Sequence, residues 1–85
     1  MADMKTGTAF YEMTVSQLAT EDNLVYTAYG IAAFTITKSD ATKLDEIIDV
    51  STDSQLVRRM VEDFNQFDLH LEHFRDAVYD IICGE

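Results

Sequence analysis

The chain has 85 residues, 47% of them hydrophobic, with 16 acidic side chains against 6 basic ones and a formal net charge of −10. That length allows one small domain with a modest core, and the apolar content argues against wholesale disorder. The acidity disfavours direct binding to nucleic acid, because phosphate contacts need a basic surface.

Residues 1–7 are small, polar or flexible and are expected to fray. MADMKTGTAF lacks the basic flank and apolar core of a signal peptide. From Thr8 to Leu18 the pattern turns β-like, with Tyr11, Met13 and Val15 alternating with Glu12, Thr14 and Ser16. Thr20-Glu21-Asp22-Asn23 supplies turn chemistry, Asn23 being able to take a positive φ. A second β-rich run, Leu24 to Thr37, completes an antiparallel hairpin over 8–37. Both of its faces are apolar, with Val25, Tyr29 and Ile31 on one and Leu24, Tyr26, Phe34 and Ile36 on the other. That pattern implies cover on both sides or an exposed patch used for weak homodimerisation. Interruptions at Thr27, Gly30 and Thr35 leave the run too short to span a bilayer. Gly30 reads as a bulge or bend rather than a ligand approach, since no phosphate-binding glycine pattern surrounds it.

Residues 38–50 read as a connector, polar from Lys38 to Asp45, with Ile47, Ile48 and Val50 forming a short third strand or a helical turn. Thr52 and Gln55 fit a capping box, and Asp53 suits the positive end of a helix. Leu56, Val57, Met60, Val61 and Phe64 follow with helical spacing. Asn65 to Phe67 breaks the pattern, Asp68 offers an N-cap, and a second helix is expected from Leu69 to Ile82 with Gly84 as its C-cap. The two helices occupy 52–83. The fold class is therefore α+β, one domain over 1–85: an antiparallel β-hairpin, with or without a third short strand, packed against two C-terminal amphipathic helices.

The charge is concentrated late in the chain, with 11 acids and 3 bases after Lys43. On the last helix, Leu71, Phe74, Val78, Ile81 and Ile82 define a buried face. His73, Asp76 and Asp80 fall on the opposite side, with Glu72 beside them. One histidine and two carboxylates have the chemistry of a metal site or an acid–base pair, but a convex helix face supplies neither a further ligand nor a pocket. His70 is expected at the core edge, and Cys83 as a small apolar residue without thiolate character. Serine-nucleophile motifs, phosphate loops and CxxC pairs are absent. Glu72, Asp76 and Asp80 make a ladder of like charge, each i,i+4 pair costing the helix about 0.2–0.5 kcal/mol. Its step of about 6 Å is of the order of the spacing of phosphates along a nucleic-acid strand.

Three segments, Tyr29-Gly30-Ile31, Asp49-Val50-Ser51-Thr52-Asp53 and His73-Phe74-Arg75-Asp76-Ala77-Val78-Tyr79-Asp80-Ile81, resemble a family of short uncharacterised bacterial proteins. In that domain of unknown function a YGI-containing hairpin precedes a V-S-T-D helix start and an H-x-x-D-x-V-x-D final helix. The resemblance covers the chain from about Val25 onward, and this chain lacks the family's proline shortly before the histidine. It implies the architecture and no activity.

The expected function is non-catalytic: an acidic module that occupies a basic protein surface through Glu72, His73, Asp76 and Asp80, without metal or cofactor. Its concrete form is a nucleic-acid-mimic inhibitor of the anti-restriction or anti-CRISPR type, acting on a nucleic-acid-binding protein. The alternatives are a small enzyme or metal-binding protein centred on His73, Asp76 and Asp80, and a structural homodimer subunit. A single cysteine suits a reducing cytoplasm, and no membrane attachment is expected.

Overall fold

The structure, a computed structural model, describes residues 9–37 and 40–83. Three strands, β1 (Phe10–Ala19), β2 (Val25–Thr37) and β3 (Asp40–Ser51), form an antiparallel sheet in the order β1-β2-β3. Helix α1 (Ser54–Gln66), a 3-10 turn (Leu71–His73) and α2 (Phe74–Cys83) follow. This is the α+β arrangement expected, with a third strand much longer than a short one. The polar stretch read as connector is strand from Asp40 onward, and Ile47 to Val50 belong to it rather than to a helix. The expected fraying of 1–7 and the Gly84 cap lie outside the described residues.

β1 and β2 pair without interruption from Phe10↔Phe34 to Ala19↔Val25. Their turn is closed by Thr20 N donating to Leu24 O at 2.9 Å and by Asn23 N donating to Thr20 O at 3.0 Å. Asn23 adopts φ 65°, a left-handed conformation asparagine tolerates better than most residues. The β2–β3 register is broken twice, between Tyr29 and Ile31 and between Ala33 and Phe34. At the first break Ile48, Asp49 and Val50 all stand opposite Gly30, so the extra residues belong to β3. A Cβ at position 30 would lie 2.2 Å from the Ile47 carbonyl oxygen and 2.8 Å from Ile48 Cα. Gly30 is the residue that lets the bulged strand pass.

One sheet face carries the core. Tyr11, Ile31 and Ala33 are buried against Val57, Met60 and Phe64 of α1 and Phe74 and Val78 of α2. Among the described residues no helix covers the other face. There Phe10 and Phe34 stack at 5.4 Å, Ala28 and Ala32 are buried, and Ile36 is 67% exposed.

Tyr11 joins the layers. Its ring lies 5.5 Å from that of Phe64 and 5.3 Å from that of Phe74, and its hydroxyl donates to the Leu69 carbonyl at 2.7 Å. Burial pushes the phenol above its ordinary range, which keeps the O–H a donor. Asn65 grips the same residue from α1, Oδ1 accepting from Tyr11 N at 2.7 Å and Nδ2 donating to Tyr11 O at 2.9 Å. Asn65 therefore does not break the helix; it lies within α1 and replaces a neighbouring strand at the sheet edge.

The helix ends also differ from expectation. Asp53, not Thr52, is the N-cap of α1, its Oδ1 accepting from Gln55 N at 3.0 Å and Leu56 N at 3.3 Å. Ser51 Oγ in turn accepts from Asp53 N at 3.0 Å. Asp68 caps no helix. It takes φ 54° just after α1, where Leu69 N donates to Phe64 O and Asp68 N to Asn65 O, the two bonds of a Schellman C-cap. The chain then runs extended through His70, so the last α-helix begins at Phe74 rather than Leu69.

Two outcomes follow. Tyr11→Phe leaves the Leu69 carbonyl without its donor and should cost about 1–2 kcal/mol, read from denaturant midpoints at unchanged slope. Asp68→Gly relieves a left-handed residue with a Cβ and should gain about 0.5–1 kcal/mol, a rise of several degrees in Tm. Asp68→Asn, which removes only the charge, should gain less.

Candidate functional site

α2 is amphipathic, Phe74 and Val78 being fully buried and Asp76 and Asp80 exposed on the outer side. The 3-10 turn presents Glu72 and His73 next to them, with side chains 74% and 63% exposed. His73 Nε2 lies 3.5 Å from Glu72 Oε2, a contact between sequence neighbours in open solvent. All four expected residues are exposed, and Glu72 and His73 are the two in contact. The ladder is not one continuous helix row, because Glu72 lies outside the α-helix and only Asp76 and Asp80 keep true i,i+4 spacing.

Arg75 is the one cation within α2, and it is not spent on that row. It reaches across to β3, where Nε donates to Asp45 Oδ2 at 2.9 Å and Nη2 to Asp45 Oδ1 at 2.7 Å. Nη2 also reaches the Glu46 carbonyl at 3.4 Å. This two-pronged pair fixes α2 against the sheet edge. The Arg75 hydrogen bonds hold the Asp45 carboxyl below its usual range, against the opposing effect of partial burial. The Glu46 N–H, donating to Asp45 Oδ1 at 2.8 Å, acts in the same direction as Arg75. Lys43 bonds Glu46 at 2.7 Å, so two of the cations near this surface already have protein partners.

Among the described residues, no group of three His, Cys, Asp or Glu side chains stands close enough to hold a metal ion. His70 is exposed rather than at the core edge; it precedes the 3-10 turn, its carbonyl accepting from His73 N at 2.9 Å. Cys83 is free and exposed, not packed as a small apolar residue. Arg58 and Arg59 on α1 make no ion pair within 4.0 Å among the described residues. Among those residues, no helix is long and apolar enough to cross a membrane.

Periodicity could place His73, Asp76 and Asp80 on one face, but not where Arg75 would turn. Asp45 carried no distinguishing signal, standing in a run of polar residues. Comparison of the chain with protein-family models, with curated proteins and with solved structures found no match.

The Asp45–Arg75 pair carries a pH signature. A carboxyl with a depressed folded pKa adds stability above its unfolded value, near 4, and loses it as the pH falls through the folded value. Asp45→Asn should therefore be less stable than the parent by about 0.5–1 kcal/mol at pH 7. The gap should close as the pH drops below about 4. Urea melts of both proteins from neutral to acid pH measure it.

Proposed function

We propose that this protein is a non-catalytic interaction module whose α2 face, Glu72, His73, Asp76 and Asp80, occupies a basic surface on a partner protein. One observation carries the reading: the only cation of α2 is tied to Asp45 on the sheet side, so no cation of that helix is paired with the outward carboxylates. A sequence selected for stability alone would place a lysine at position 76 or 80, gaining a few tenths of a kcal/mol. Charge complementarity between a basic groove and these carboxylates steers encounter and so gives fast, selective association. The step of about 6 Å between Asp76 and Asp80 is of the order of the phosphate spacing such a groove is built for. A nucleic-acid-binding protein is accordingly the partner class, and occupation of its groove by an acidic mimic is the mechanism. The cytoplasm is the compartment such a partner implies, and a free exposed thiol suits it.

Asp76→Lys combined with Asp80→Lys tests the assignment. The double variant should melt within a few degrees of the parent and fail to capture basic partners that the parent captures from a host lysate at low salt. The difference should shrink as salt is raised, since these charges are screened over about 10 Å at 0.1 M. Equal capture by both proteins at low salt would reduce the carboxylates to a solvated face.

A further inference from the structure

The two edges of the sheet are built differently. On β3 the outer edge carries Asp40, Lys43, Asp45, Glu46 and Asp49 and is bent by two irregularities, the usual protections against strand addition. β1 has neither. From Met13 to Ala19 it reads Met-Thr-Val-Ser-Gln-Leu-Ala, without charge, proline or glycine, and its ladder to β2 is continuous. Val15, near the middle, is 59% exposed.

The hydrogen bonds of Tyr11 and Thr20 fix which backbone groups of β1 face outward. Asn65 takes both the N–H and the C=O of Tyr11 from the side away from β2, while Thr20 N points inward to Leu24 O. Alternation along an antiparallel strand then turns Met13, Val15, Gln17 and Ala19 outward. Among the described residues none of these four has a backbone partner beyond β2. Their free groups begin where the Asn65 clamp ends and stop where the strand ends.

We propose that this edge pairs antiparallel with β1 of a second copy, Ser16 opposite Ser16 on the two-fold axis, to give a continuous six-stranded sheet. The window is complementary to itself. In this register Met13 meets Ala19 and Val15 meets Gln17, so all four outward residues of each copy are used, in about eight N–H···O=C bonds. Thr14 lies opposite Leu18, and Glu12, the nearest charge, falls opposite Thr20, so no charged residue faces another. A register centred on Val15 would bring Ala19 onto Tyr11, whose backbone groups Asn65 already holds. The net charge of −10 on each copy opposes association, so added salt favours it. This inference is independent of the acidic α2 face.

Sedimentation equilibrium and amide hydrogen exchange on the full chain test it. The parent should form a dimer between about 10 µM and 1 mM, tightening with salt. The amides of Met13, Val15, Gln17 and Ala19 should exchange at least ~10-fold more slowly in the dimer. Those of Thr14, Ser16 and Leu18, bonded to β2 throughout, should be protected at every concentration. Val15→Pro removes an outward N–H that the monomer does not use, and Ser16→Lys sets two like charges on the axis. Each should raise the dissociation constant at least ~10-fold at unchanged far-UV dichroism, and Ser16→Lys suffices should Val15→Pro misfold. Ile36→Lys, on the uncovered sheet face, should dimerise like the parent. A monomer at every concentration with the four outward amides unprotected overturns the proposal and leaves the edge to a strand from another protein. A dimer that survives Ser16→Lys and is lost in Ile36→Lys overturns it in favour of packing through the sheet face.

Discussion

One asparagine holds the two layers in register. Asn65 offers its amide to the backbone of Tyr11 as a neighbouring strand would, at 2.7 and 2.9 Å, and the Tyr11 ring then fills the space between Phe64 and Phe74. The hydrophobic face of α1 could slide along the sheet with little change in buried area, because apolar burial is non-directional. Two short hydrogen bonds to one residue cannot slide. The Tyr11 hydroxyl repeats the constraint at Leu69, so the turn after α1, and α2 beyond it, are placed from the same residue.

The second constraint acts at the opposite edge, where Arg75 locks α2 to Asp45. Its consequence for the surface is an asymmetry of charge. A helix with one arginine and two aspartates would carry little net field if the arginine lay among them. With the guanidinium drawn to Asp45, the exposed Asp76 and Asp80 are paired with no cation of their own helix. Docking of the helix and exposure of its carboxylates are thus two results of one side chain's direction.

The alternation of Tyr11, Met13 and Val15 and the spacing of Val57, Met60 and Phe64 made β1, the hairpin and α1 legible, since each buries one face against a single layer. β3 was less legible because every position from Asp40 to Leu44 is exposed, so no alternation marks it. Asn65 reads locally as a poor helix former, and what keeps it helical lies 54 residues away. Asp68 reads as an N-cap by residue type, yet its left-handed backbone belongs to the helix before it. For the candidate site, the shared side of Asp76 and Asp80 followed from helical spacing, while His73 stands in the 3-10 turn before the helix. The withdrawal of Arg75 did not, because it depends on a strand whose existence the polar run concealed.

The Asn65 clamp also bears on the order of assembly. Strand pairing in this meander joins neighbours in sequence, and its first turn closes over only a few residues. The clamp and the Tyr11–Leu69 bond close loops of 54 and 58 residues, whose entropy must be lost before either bond forms. Closing the sheet's first turn therefore costs less chain entropy than closing the long loop that docks the helical layer. Until it closes, the Tyr11 backbone is as open as the rest of β1, so the newly made sheet has a longer bare edge than the finished protein.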